Sequence, residues 1–140
     1  MKANTLAHAS HIAENDVVIC CLIENDTFMA YHKPKSLATK EDLKFLFNHY
    51  ETLATDGPLR VIVEMAPLST MDKEARDFLQ NHKIEAVCEA VVLNSLAQRI
   101  IVNFYFKFKK HQHPSRAFSS FEKARKWANS IEQKTLIEEH

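Results

Sequence analysis

The stretch that decides the fold is residues 90–128, which read AVVLNSLAQRIIVNFYFKFKKHQHPSRAFSSFEKARKWA. Its opening apolar run ends at Asn94 and Ser95, and the next apolar residues predict a helix over 95–108 that is apolar around most of its circumference. A basic segment then leads to Pro114, a short strand and an amphipathic helix that carries Trp127. This alternation of strand and helix is typical of a parallel sheet with crossover connections.

The same alternation extends toward the amino terminus. Short apolar or β-branched runs predict strands at residues 17–23, 27–32, 59–65, 86–93 and 116–118. Helical periodicity and capping residues predict four helices, which begin near Thr39, Thr70, Ser95 and Ser120. The order ββαβαβαβα predicts an α/β fold with a five-stranded mixed sheet, in which the amino-terminal hairpin is antiparallel and the other strands are largely parallel.

The length and charge of the chain limit its organisation and its partners. At 140 residues we expect one domain over 1–140, with a core of about 12–132 between loose tails. The formal net charge is zero, so the whole molecule has no field that would attract nucleic acid or an anionic membrane. No run approaches the roughly 18 apolar residues of a membrane span, and we expect a cytoplasmic protein with no integral membrane segment.

The chain has a single glycine, Gly57, and three cysteines. Glycine-rich loops let the backbone approach nucleotide phosphates, so the sequence excludes the common nucleotide-binding loops. Cys20, Cys21 and Cys88 do not form a C-x-x-C motif, and buried reduced thiols are the favoured interpretation. We therefore expect no cofactor.

The predicted order of elements also resembles a known family. The resemblance covers roughly residues 12–130 and includes Phe118, Ala124 and the run 73–76. Its most specific residues are Asn94, Ser95, Arg99, Asn103, Pro114 and Trp127. With these residues the chain resembles a bacterial family of small STAS-like domains of unknown function. The resemblance implies the fold of anti-sigma-factor antagonists, which is also likened to CRAL-TRIO lipid-binding domains, and it implies no reaction.

The resemblance also locates the position of a phosphorylation switch. In the anti-sigma-factor antagonists, a serine in the turn after the third strand is phosphorylated. The corresponding turn here, residues 69–74, has Lys73 at that position, so no phosphorylation is expected there. Ser69 and Thr70 are expected to be ordinary caps of the following helix.

The polar residues predict no catalytic, metal or nucleic-acid site. His111 and His113 could share a metal, but solvated loop histidines are favoured because a tetrahedral ligand set is lacking nearby. A helix carboxyl terminus explains the following cations and aromatic residues better than nucleic-acid binding does: Lys107, Lys109, Lys110 and Arg116, with Phe106 and Phe108. Acid–base chemistry around Glu64 and Asp72 is a third hypothesis, and it requires the two carboxylates to share a cleft.

The helix over 95–108 is the main candidate for an interaction or ligand-binding surface. One apolar stripe is enough for packing on a sheet, whereas this helix has several. A second copy of the chain, a bound apolar ligand or neighbouring helices of the same chain can cover the others. The candidate residues are Ile100, Ile101, Phe104, Tyr105, Phe106 and Phe108.

These stripes lead to two hypotheses about function. The first is a non-enzymatic interaction module that self-associates, as a homodimer, through the helix over 95–108 and docks a regulatory protein partner. The alternative is a carrier or sensor of a small, lipid-like apolar ligand, which requires a cavity between the sheet and this helix.

Overall fold

A computed structural model describes residues 3–108 and 113–132 of the chain. Within those residues the strands are β1 Ala9–Glu14, β2 Val18–Ile23, β3 Thr27–His32, β4 Leu37–Ala38, β5 Leu59–Met65, β6 Thr70–Met71, β7 Ala86–Leu93 and β8 Ser115–Phe118. The helices are α1 Ala3–Ala7, α2 Lys40–Leu53, α3 Lys73–Asn81, α4 Leu96–Phe108 and α5 Phe121–Ser130.

The main sheet is mixed, as the sequence predicts, and its strand order is β1-β2-β3-β5-β7-β8. The strands β1, β2 and β3 pair antiparallel, whereas β3, β5, β7 and β8 pair parallel. The short strands β4 and β6 form a separate parallel pair. The α/β class is therefore confirmed, but the described residues form a six-stranded main sheet and five helices instead of five strands and four helices.

The additional main-sheet strand, β1, begins inside the segment that the sequence predicts to be a loose tail. Its residues, ASHIAE, have little apolar alternation, and most of them are exposed. An edge strand of this kind is held by backbone hydrogen bonds to β2 more than by buried side chains, so hydrophobic periodicity does not reveal it. The pairing is irregular between Ser10 and Ala13, and His11 there has a φ of 53°.

The starts of the helices show which capping predictions are correct. The N–H of Thr39 donates to Asp42 Oδ2 at 2.8 Å, as expected of a capping box at α2. The expectation that Ser69 or Thr70 caps α3 is wrong, because Thr70 belongs to β6 and the helix begins later in the chain. Asp72 is the cap, and its Oδ1 accepts from Ala75 N at 2.8 Å.

Helices cover both faces of the main sheet. One face of β2, β3 and β5 packs against α2 and α3 through an apolar cluster that includes Phe28, Leu43 and Phe78. The other face packs against α5, where Ala124 and Ala128 are fully buried. The two faces are therefore covered by different helices, and the candidate functional site lies on the face that packs against α2 and α3.

The helix α5 is fixed to the sheet by a partly buried cation, Arg60. Arg60 on β5 donates from Nε to Ala128 O and from Nη2 to Ile131 O, both at 2.8 Å. These carbonyls lie at the end of α5, where a cation complements the helix dipole. Asp26 Oδ2 lies 3.2 Å from Arg60 Nη1 and partly balances its charge. The α5 face of the sheet is thus closed and tightly held.

Candidate functional site

The face of the parallel strands opposite α5 forms the floor of a cavity of about 500 Å³. Side chains of a strand alternate between the two faces, so every second residue of β3, β5 and β7 faces this cavity. The strand register aligns these residues into three rows across the sheet. From the amino ends of the strands, the rows are Phe28, Val61 and Glu89; Ala30, Val63 and Val91; and His32, Met65 and Leu93.

The middle of this floor is less buried than the centre of a sheet should be. Val63 and Val91 lie on central strands, yet both are only half-buried. Ile62, the neighbour of Val63 on the opposite face, is 0% exposed under α5. Protein interiors are normally packed as closely as organic crystals. The half-buried valines therefore mark a space that the described side chains do not fill.

The roof of the cavity consists of α2, α3 and α4. Helix α2 contributes Leu43, Leu46, Phe47 and Tyr50, and α4 contributes Val102 and Phe106. The ring of Tyr50 meets Phe28 edge-on at a centroid distance of 5.4 Å, which closes the cavity at the amino ends of the strands. Phe47 meets Phe78 in a similar edge contact at 5.1 Å and joins α2 to α3.

The exposed part of the lining lies on and just after α3. Arg76, Gln80, His82 and Lys83 all line the cavity and are all exposed. Arg76 donates from Nη1 to Met71 O at 2.7 Å, which positions its guanidinium beside the start of the helix. The cavity therefore has an apolar interior and a polar rim that includes two cations, Arg76 and Lys83.

Two polar groups lie on the floor itself, at opposite corners. His32 belongs to the row at the carboxyl ends of the strands and is 2% exposed. Burial lowers the pKa of His32 to about 4, against the opposing effect of the nearby Asp42 charge. At the amino-end row, Glu89 Oε1 lies 3.9 Å from Nε2 of His113. The expectation of a solvated loop histidine is therefore wrong for His113, whose side chain is 10% exposed.

The residues that carry the family resemblance hold α4 over the cavity. Arg99 donates from Nη1 to Leu93 O at 2.6 Å, which joins the helix to the end of β7. Asn103 Oδ1 accepts from Ala117 N at 2.9 Å, which joins the helix to β8. Ser95 Oγ accepts from Gln98 N at 3.3 Å in the first turn of the helix.

The remaining motif residues support the strand that follows α4. Pro114 O accepts from Glu89 N at 2.9 Å and extends the pairing of β7 with β8. Trp127 packs against Phe118 at a centroid distance of 5.4 Å on the α5 side of the sheet. Asn94 is exposed in the turn between β7 and α4.

The candidate interface residues of α4 divide between two sides of the helix. Val102 and Phe106 face the cavity, whereas Leu96 and Ile100 are 64% and 60% exposed. Positions 100 and 102 are about 200° apart around a helix, in agreement with these two environments. The side chains of Ile101, Phe104, Tyr105 and Phe108 lie outside the described residues, as does His111.

The other polar candidates do not enter the cavity. Lys73, at the position of the phosphorylated serine in the resemblance, is the first residue of α3 and is exposed. Glu64 and Asp72 are not among the lining residues. Asp72 caps α3, and the alternation of β5 places Glu64 on the face of Ile62. The shared cleft that acid–base chemistry requires is therefore not formed by these two carboxylates.

Sequence reasoning missed His32, Glu89 and the valines of the floor. His32 ends a strand whose residues 28–31 are apolar or aromatic, and Glu89 interrupts the apolar run 86–93. A polar residue inside a buried strand was the signal that could have identified both positions.

Two kinds of site are absent from the part of the chain that the structure describes. Residues 3–108 and 113–132 contain no group of three or more His, Cys, Asp or Glu side chains arranged to hold a metal ion. Across the same residues, every helix is too short or too polar to cross a membrane.

The architecture is shared with a solved protein. An uncharacterised protein of the DUF3478 family from Shewanella loihica, described as having a SpoIIAA-like fold, superimposes with a TM-score of 0.53 at 14% sequence identity. The match covers 91% of this chain and 98% of that chain. The protein thus has the SpoIIAA-like, or STAS-like, fold that the sequence predicts.

Among curated proteins, none matches this sequence. The family model described as a domain of unknown function, DUF7793, matches residues 21–132, and the chain belongs to this family.

Proposed function

We propose that this protein is a non-enzymatic binding module that holds a small apolar ligand between the parallel strands and helices α2, α3 and α4. The observation that carries the proposal is the half-buried state of Val63 and Val91 in the centre of the floor. Apolar surface that remains in contact with water raises the free energy of the protein by roughly 25 cal/mol per Å². A ligand that covers these side chains removes that cost.

The size and chemistry of the cavity support a ligand rather than solvent alone. Ligand sites in proteins commonly have volumes of about 300–1,000 Å³ and mostly hydrophobic walls. The cavity here has a volume of about 500 Å³, and the side chains of its middle row are entirely aliphatic. The aromatic rings of Phe28, Phe47 and Phe106 add flat apolar surface around this row.

Binding of an uncharged fluorescent probe tests this proposal. N-phenyl-1-naphthylamine should show increased emission with the wild-type protein, because its quantum yield rises in an apolar site. The variant Val63→Phe places an aromatic ring in the cavity and should reduce the affinity at least tenfold. Thr52→Phe adds the same ring at an exposed position of α2 outside the lining and should bind the probe as the wild type does. Equal affinity of all three proteins would exclude the cavity as the binding site.

Self-association through α4 is a second proposal, supported by a separate observation. Leu96 and Ile100 are one helical turn apart and are 64% and 60% exposed. Large exposed apolar side chains that adjoin one another are typical of contact surfaces between proteins. They lie on the side of α4 away from Val102, so a second copy of the chain could dock there while the cavity holds its ligand. Docking of a regulatory protein partner stays a prediction.

A further inference from the structure

His32 is a polar side chain in an apolar part of the cavity. Its direct cross-strand neighbours are Val18 and Met65, and neither side chain has a strong hydrogen-bonding group. The side chain is 2% exposed, and among the described residues Nδ1 has no hydrogen-bond partner. Buried polar atoms in proteins are nearly always hydrogen-bonded, and an unsatisfied one costs about 1–3 kcal/mol.

The charge state of His32 defines what it can bind. Burial lowers its pKa to about 4, so the imidazole is uncharged at neutral pH. A neutral imidazole has one N–H donor and one acceptor nitrogen. Nδ1 can therefore hydrogen-bond a hydroxyl or a carbonyl group, depending on the tautomer. Because the imidazole is uncharged, it does not attract an anion electrostatically.

The charged residues of the lining lie elsewhere. Arg76 and Lys83 are exposed on the rim, and the Glu89–His113 pair lies at the opposite row of the floor. His32 lies four positions after Phe28 on β3, which corresponds to a separation of roughly 13 Å along the strand. Aliphatic floor occupies the space between these levels, at Ala30, Val63 and Val91.

We propose that the ligand is an uncharged amphiphile, with an aliphatic body on the middle of the floor and a hydroxyl or carbonyl end that hydrogen-bonds Nδ1 of His32. This inference rests on the proposed function, since it names the chemistry of the ligand in the same cavity. It assigns the two parts of the ligand to different residues. The valines bind the body through apolar contact, and His32 distinguishes a polar-ended ligand from a hydrocarbon of the same length.

The relative affinities of a polar-ended and an apolar ligand for two single-residue variants test the assignment. We would measure the Kd of 1-octanol and of octane by displacement of N-phenyl-1-naphthylamine from the wild type, from His32→Leu and from His49→Leu. The ratio of the octane Kd to the octanol Kd should fall about tenfold in His32→Leu, the size expected for one buried hydrogen bond. His49 is a half-buried histidine of α2 outside the lining, so its replacement should leave the ratio unchanged.

A spectroscopic measurement keeps the proposal testable if His32→Leu does not fold. The ¹⁵N resonance of His32 Nδ1 in the wild type should shift on addition of 1-octanol and stay in place on addition of octane. If both compounds bind with the same preference in all three proteins, or if octanol leaves the resonance unmoved, solvent satisfies the imidazole and this inference is overturned. If neither compound displaces the probe and the probe itself does not bind, the proposed function fails as well.

Discussion

The backbone N–H of Ala117 donates a hydrogen bond to Oδ1 of Asn103, 2.9 Å away. Ala117 lies on β8, which is at the edge of the main sheet, and no further strand among the described residues supplies an acceptor. A side chain of α4 therefore satisfies an edge-strand donor, and the same bond fixes the helix whose Val102 and Phe106 form part of the cavity roof. Asn103 therefore satisfies a donor of the edge strand and also holds α4 in position over the cavity.

Replacement of Asn103 should destabilise the protein. Asn103→Leu removes the acceptor and leaves the N–H of Ala117 unsatisfied, which should lower the free energy of unfolding by about 1–3 kcal/mol. Gln98→Leu, at an exposed position of the same helix, should change it by less than about 0.5 kcal/mol. Urea denaturation followed by circular dichroism measures both values. Equal stability of the two variants would show that the hydrogen bond does not hold α4.

The two faces of β5 should respond differently to an added ring. Ile62 is 0% exposed against α5, and Ile62→Phe should cost about 1–3 kcal/mol by overpacking. Val63 faces the cavity, so Val63→Phe has room for its ring and should cost less than about 1 kcal/mol. Thermal unfolding of the two variants compares the faces directly. A larger loss at Val63 would mean that the cavity is already filled by protein atoms.

The burial of His32 should make the stability of the protein depend on pH. Burial lowers the pKa of His32 in the folded protein to about 4 from its ordinary value of 6.5, although the Asp42 charge opposes the shift. Because the folded pKa lies below the unfolded one, the unfolded chain binds a proton first as the pH falls. The contribution of neutral His32 to the free energy of unfolding is complete above about pH 6.5. It decreases by roughly 3 kcal/mol between pH 6.5 and pH 4. Urea denaturation of the wild type and of His32→Leu, measured at intervals across that window, should show a smaller decrease in the variant.

The three cysteines should react with alkylating agents only when the protein unfolds. Cys20, Cys21 and Cys88 are free and buried, and burial raises the pKa of each thiol to about 11. The reactive thiolate is thus scarce at neutral pH and inaccessible to reagents. Mass spectrometry after iodoacetamide treatment at pH 8 should find no label in the native protein and three labels in urea. Rapid labelling of the native protein would contradict the burial of these residues.

The sequence predicts the parallel part of the fold well because its strands are short apolar runs with clear ends. The bounds expected for 59–65 and 86–93 agree with β5 and β7. The strand β1 has no such pattern and depends on pairing with β2, so it is invisible to periodicity.

The cavity could not be predicted for a related reason. Val63 and Ile62 have the same apolar character in sequence, and only the positions of α3 and α4 leave one half-buried and the other fully covered. A cavity is a property of the distance between elements, and hydrophobic pattern reports burial without reporting that distance. His32 was detectable as a polar residue in an apolar strand, but whether a described residue partners its Nδ1 depends on three-dimensional packing.

A charge on the exposed side of α4 should abolish self-association. Ile100 is 60% exposed, so Ile100→Asp should fold normally and should place an unpaired carboxylate in the proposed contact between two copies. Size-exclusion chromatography with light scattering should give the mass of a dimer for the wild type and of a monomer for the variant. Gln98→Asp introduces the same charge at an exposed position about 200° around the helix from Ile100 and should remain a dimer. A wild type that is monomeric across the micromolar range would eliminate the self-association proposal and leave ligand binding in the cavity unaffected, because Leu96 and Ile100 do not line that cavity.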